Sequence, residues 1–190
     1  MMKTPCKTPR GLRIAGAELL RGFTLIELLV VVSIAGILLT IAIPSFRDFL
    51  LNTRITSQTN DLVLGLTYAK SEAVRRNLVI NVCRNAVAEN TCAGGSTDWS
   101  NGWTVFVDSN DDCAATLAGE VELRTWPALQ GNSLCFNNGN RVEFGRTGGV
   151  PLAFAGTFNL CDGRGTASGR QIVVSQQGRV RSATGATLCP

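Results

Sequence analysis

Along this chain the spacing of apolar residues changes twice, and each change marks a new kind of element. From Phe23 to Ile43 the sequence is almost continuously apolar and carries one charge, Glu27. Twenty-one residues at about 1.5 Å per residue span about 31 Å, close to the thickness of a bilayer's hydrocarbon core. This segment reads as a membrane helix, retained at residues 23–44. After Pro44 the apolar positions thin into a helical stripe, with Phe46, Phe49, Ile55, Leu62, Leu66, Ala69 and Ala73 separated by charged residues. A second, amphipathic helical half over 45–77 follows, with a kink expected at the proline. Arg75, Arg76 and Asn77 carry its C-terminal signals.

From residue 78 to 190 the pattern shortens to strand-length runs between clusters of Gly, Asn, Asp and Ser. Expected strands are Leu78–Cys83, Trp103–Asp108, Val121–Trp126, Leu134–Phe136, Arg141–Phe144, Thr157–Cys161, Gln171–Ser175 and Arg179–Ser182. One long helix followed only by short strands implies an α+β fold, with the helix packed on one antiparallel sheet or two small ones.

Charge alters how the N-terminus is read. The chain holds 18 basic and 14 acidic side chains. Five of the basic groups (Lys3, Lys7, Arg10, Arg13, Arg21) and one acid (Glu18) precede Phe23, leaving 13 of each sign beyond it. The basic excess therefore belongs to residues 1–22. The polar leader is long and its apolar run starts late, unlike a secretory signal with a small-residue cleavage site behind it. The positive-inside rule places that leader in the cytoplasm and the bulk of the chain on the other side of the membrane. In that compartment the six body cysteines, Cys83, Cys92, Cys113, Cys135, Cys161 and Cys189, suit three disulfides. Neighbours in sequence are the expected pairs. The chain has no histidine and no C-x-x-C, so a zinc site is disfavoured.

Gly22-Phe23-Thr24-Leu25-Ile26-Glu27, its apolar run and Pro44 resemble the processing and assembly segment of type IV pilins and type II secretion pseudopilins. Three further stretches are similar to GspH/FimT-type minor pilins: Asp98–Trp103 leading to Asp108, Leu160–Gly165, and Ile172–Ser175 leading to Gly178-Arg179-Val180-Arg181. The resemblance implies a pilin-like fold, cleavage by a prepilin peptidase between Gly22 and Phe23, and N-methylation of Phe23 by a methyltransferase. It also implies assembly with other major and minor pilins, guided by Glu27 and Pro44. The Gly-Arg-x-Arg tail is associated, in the FimT branch, with binding double-stranded DNA during natural transformation.

The residues of the tail support that expectation on their own chemistry. After Asp162 the sequence has Arg164, Arg170, Arg179 and Arg181 and no acid. In an extended strand Arg179 and Arg181 share one face while Val180 turns to the other, and guanidinium forks match phosphate oxygens. The expected contact runs through Arg179 and Arg181, with Arg164 and Arg170 as candidate helpers, and is independent of base sequence. A solvated strand face is the plainer alternative. Two other motifs favour plain readings. Asp108–Asp112 spaces oxygens like a calcium loop, but Cys113 stands where an EF-hand needs glycine, so a polar turn is expected. Trp99, Trp103 and Trp126 are expected in the core rather than as base-stacking platforms. Without histidine no Ser-His or Cys-His pair exists. The expected protein is a non-enzymatic filament subunit without a cofactor, anchored in inner-membrane lipid before assembly. The competing role is a structural or priming pilin, or a secretion pseudopilin, that binds no DNA.

Overall fold

A computed structural model describes residues 22–85, 97–108 and 121–188 of this chain. Leader residues 1–21, Cys92, Cys113, Cys189 and the acidic stretch 109–112 lie outside the described residues. Two compact units meet at Pro44. Helix α1, Leu25–Arg76, belongs to both and runs through Pro44 rather than ending there.

Within the first unit, Thr24 precedes the helix and its hydroxyl accepts the amide of Glu27 at 3.3 Å. Thr24 and Glu27 thus stand three apart at a helix start, in the spacing of a capping box. An acid in the first turn also meets the positive end of the helix dipole. The described residues of this unit, 22–44, are all exposed, and its helix is long and apolar enough to cross a membrane.

In the second unit, Ile55, Gln58, Thr59, Leu62, Gly65, Leu66, Ala69, Glu72 and Ala73 form the buried face of α1. Spacings of three and four put them on one side of the helix. Phe46 and Phe49, expected in this stripe, are 61% and 63% exposed. Among the described residues the buried face of α1 begins at Ile55, and the aromatic pair lies before it. The helix stops as expected: Arg75 and Arg76 occupy its last turn and Asn77 takes a left-handed conformation at φ 55°. Glu72 is buried and accepts from both arginines, at 2.6–3.0 Å. Those bonds hold its carboxyl below the usual range.

Among the described residues eight strands follow: β1 Ile80–Arg84, β2 Trp103–Val107, β3 Glu122–Trp126, β4 Ser133–Phe136, β5 Arg141–Phe144, β6 Gly156–Cys161, β7 Arg170–Val174 and β8 Val180–Thr184. They form two four-stranded sheets, ordered β3-β2-β1-β5 and β4-β6-β7-β8, in which every strand pair is antiparallel. Each expected strand is present, displaced by at most two residues at either end. Two short 3₁₀ turns, Leu152–Phe154 and Thr166–Ser168, were not expected from the apolar pattern.

The α1 face, the inner residues of both sheets and Trp99 make one core. All three tryptophans are buried. Trp103 stacks on Trp126 with ring centroids 5.9 Å apart, and Trp99 meets Phe158 edge-on at 4.8 Å. A polar brace pins α1 to the β6–β7 connection. Arg164 donates from Nε and Nη2 to Asp162 at 3.0 and 2.6 Å, and from Nη2 to Asn52 at 3.0 Å. Its Nη1 also lies 3.7 Å from Asp48.

Two outcomes follow from this packing. A methyl group on Gly65 would stand 2.7 Å from Trp103 Nε1, and the stacked tryptophan pair leaves that ring little room to retreat. Gly65→Ala gains up to about 1 kcal/mol of helix propensity but incurs about 1–3 kcal/mol of overpacking, so urea unfolding should show a net loss of stability. The second concerns pH. Hydrogen bonding to Arg164 lowers the pKa of Asp162, so the ionised pair stabilises the fold at neutral pH and that stability is lost as pH falls through the depressed value. Asp162→Asn should cost about 1–2 kcal/mol at pH 7. The gap to the native chain should narrow below the ordinary aspartate pKa of about 3.9, as a pH series of melts would show.

Candidate functional site

Sheet alternation sorts the arginines of the tail. On β4, β6 and β7 the residues Leu134, Phe136, Phe158, Leu160, Ile172 and Val174 are buried, which assigns the opposite parity to the outer face. Strand register places Thr157 beside Val173 and Val173 beside Arg181. Arg179 stands opposite Ser175, whose amide donates to the Arg179 carbonyl at 3.0 Å. Arg179 and Arg181 are therefore neighbours on one exposed face. They line, with Val173, Ser175 and Gln177, an open groove of about 310 Å³. Val180, between them, packs against the core.

The groove owes its shape to the turn at its end. Gln176 and Gln177 make the turn and Gly178 leaves it at φ +65°. The backbone of Gly178 abuts the Gly148 carbonyl so closely that a Cβ would collide with that oxygen. Position 178 therefore excludes other residues by conformation and by space alike. Lys70, reaching from α1, donates to the carbonyls of Gln177 and Gly178 at 3.1 and 3.0 Å. Val150 N–H donates to the Gln176 carbonyl at 2.8 Å.

Among the described residues, neither the Arg179 nor the Arg181 guanidinium has an ion-pair or hydrogen-bond partner, and both face solvent. Arg164 and Arg170, expected as helpers, are elsewhere. Arg164 is committed to Asp162 and Asn52. Arg170 shares the strand parity of Ile172 and Val174, opposite to the groove, and its Nη1 donates to the Ser168 and Gly169 carbonyls at 3.4 and 3.1 Å. Arginines close in sequence were expected to act together. Strand parity and a nearby acid separate them.

The cysteines also divide. Cys83 and Cys161 are disulfide-bonded. Their expected partners, Cys92 and Cys189, lie outside the described residues, although the Cys161 sulfur is 3.6 Å from the carbonyl oxygen of Leu188. Cys135 corrects the expectation of a Cys113–Cys135 bond: it is a free thiol. It sits on β4 opposite Asn159 in the sheet register, and the isolated bridge on its other side is to Asp98, so neither neighbour offers a sulfur. Burial, then the nearby Asp98 charge, raise its pKa and keep it protonated. Asp108, the first residue of the calcium-loop candidate, is buried and accepts the Asn81 side-chain amide at 2.7 Å. The described residues contain no cluster suited to a metal ion.

The family model described as Type II transport protein GspH matches residues 58–178, and that of the prokaryotic N-terminal methylation motif matches residues 21–43. Pilin-like protein PilA1 of Thermus thermophilus is 30% identical over 177 residues, covering 85% of this chain and 97% of that protein. The crystal structure of the type IV minor pilin FimU of Pseudomonas aeruginosa superposes with a TM-score of 0.60 at 21% identity, covering 75% of this chain and 99% of the other. The minor pseudopilin EpsH from the type II secretion system of Vibrio cholerae gives 0.51 at 10% identity, over 73% and 99%. These two structures establish a common fold. The family model covers more than half of the chain and the pilin-like relative is matched over nearly its whole length, so this chain belongs to the GspH family of pilin-like proteins and bears a prokaryotic N-terminal methylation motif.

Proposed function

We propose that this protein is a minor pilin of a type IV pilus that captures double-stranded DNA through Arg179 and Arg181 during natural transformation. The observation that carries the reading is the pair itself: two exposed guanidiniums without partners among the described residues, two residues apart on one strand face. Their Cα atoms are about 6.7 Å apart by strand geometry, comparable with the step between successive phosphates along one DNA strand. The groove offers no aromatic platform among its lining residues, which favours phosphate contact over base readout. The mature chain is neutral, so this face is a local excess rather than part of a general basic surface.

Delivery to a filament follows from the other end of the chain. In this reading the leader stays cytoplasmic, the peptidase cuts between Gly22 and Phe23, and the methyltransferase modifies the new Phe23 amine. The β domain is periplasmic until the subunit leaves the membrane for the pilus. Glu27 then accepts the Phe23 ammonium of a neighbouring subunit. A charge pair in an apolar bundle must offset its own desolvation, so it acts chiefly to set register. Pro44 marks where the assembly helix meets the folded unit. The second reading is a pseudopilin or priming pilin that binds only other pilins, and the family model's own description as a type II transport protein favours it.

The two readings separate in a mobility shift with random-sequence duplex DNA. The native chain, processed and held in detergent, should retard DNA with affinity that falls as salt rises. Arg179→Gln with Arg181→Gln should abolish the shift and leave the melting temperature and pilus yield unchanged. A native chain that fails to bind at low salt leaves only the structural reading. Separately, Glu27→Ala should reduce incorporation into filaments, scored as the subunit's share of sheared pili, without changing DNA affinity. Normal incorporation of this variant would remove the role given to Glu27.

A further inference from the structure

The turn that carries Arg179 does not stand alone, and what it leans on holds another arginine. Residues 145–149 form a tight turn closed by Gly145 N–H to the Gly149 carbonyl at 2.8 Å and Gly148 N–H to the Gly145 carbonyl at 2.7 Å. Arg146 lies at its tip, exposed, with no ion-pair or hydrogen-bond partner among the described residues. This turn is the one whose Gly148 carbonyl abuts Gly178, and its next residue, Val150, binds Gln176.

Lys70 braces both turns at once. Its aliphatic stem runs along Gly148, with Cε and Cγ 3.1 and 3.3 Å from where a Cβ would stand. Its ammonium holds the Gln177 and Gly178 carbonyls. A larger residue at Gly148 would meet that stem, and φ +78° there also favours glycine. Arg181 lies within β8, Arg179 immediately before it beside the β7–β8 turn, and Arg146 on the 145–149 turn that abuts Gly178.

We infer that Arg146 is a third phosphate-contacting residue, extending the Arg181–Arg179 line past the β7–β8 turn, and that Lys70 is a positioning residue that holds the two turns in register. The inference rests on the DNA-binding reading above and adds to it a direction: the duplex leaves the outer face of the second sheet across the 145–149 turn. A neutralised phosphate contributes about 0.9 to the slope of log affinity against log salt on duplex DNA, so each residue has a distinct signature. Arg146, in direct contact, contributes to the slope. Lys70, acting through the turn, does not.

The experiment titrates random-sequence duplex DNA against the processed chain in detergent at several salt concentrations, for native protein and three variants. Arg146→Gln should weaken binding roughly three- to ten-fold at moderate salt and lower the slope by about 0.9. Lys70→Met keeps the stem and removes the ammonium. It should weaken binding with the slope unchanged, and speed amide exchange at Gly178 and Arg179 in the absence of DNA. If Arg179→Gln with Arg181→Gln abolishes binding while Arg146→Gln leaves affinity and slope at native values, the third contact is wrong and the DNA reading stands. If the double variant binds as the native chain does, both fall together. A slope lowered by Lys70→Met, or amide exchange unaltered by it, overturns the positioning role.

Discussion

One packing constraint organises the folded unit: a single face of α1, from Ile55 to Ala73, must be covered by two separate sheets. The face is built for it. Gly65, Ala69 and Ala73 keep the helix surface low on one side, and the Trp103 ring occupies the space that a Gly65 side chain would fill. Ile55, Leu62 and Leu66 supply bulk that the inner residues of the sheets surround. Close packing at native density makes such a surface intolerant of added volume as well as of lost volume. Because both sheets share one core with the same helix face, displacing either would uncover part of that face.

Polar bonds then fix the parts that apolar packing leaves free. Lys70 ties α1 to the β7–β8 turn, and Arg164 ties it to the β6–β7 connection. Both are long side chains that use the helix or an acid as a base and reach over the core edge to a loop. Loops on a rigid scaffold commonly carry function because their backbones escape the demands of the core. Here the tail arginines are held by such a loop, and the loop is held by α1.

Much of this was legible in the sequence, for reasons that also explain the exceptions. Strand positions followed from short β-rich runs between glycine and asparagine clusters, and the helix end from Arg75, Arg76 and Asn77. Parity within β8 placed Arg179 and Arg181 together because alternation is a local rule. Long-range contacts are not local. Nothing near Arg164 in sequence, apart from Asp162, announces Asp48 and Asn52 as partners, and Phe46 and Phe49 keep the helical period of a buried stripe while lying beyond the sheets. Cys135 was read by counting cysteines, whereas its neighbours across β4 are Asn159 and Asp98. Arg146 and Lys70 were missed for the same reason. A glycine-rich G-R-T-G-G segment signals a turn, but only tertiary packing shows that the turn abuts Gly178.

The Gly-Arg-x-Arg segment therefore has two physical jobs divided among its residues. Gly178 serves packing: its positive φ and its contact with Gly148 set where the strand begins. Val180 serves the core by alternation. Only the two arginines are left free for a ligand, and they are free because the remaining positions are already constrained. A bare pair of arginines on a mobile tail would lose conformational entropy on binding phosphate. The same pair on a strand start fixed by Lys70, Gln176 and Gly148 has its backbone ordered already by the fold, so less of that cost remains. In the proposed DNA-binding role the short motif draws its rigidity from α1 and the 145–149 turn, which lie far from it in sequence.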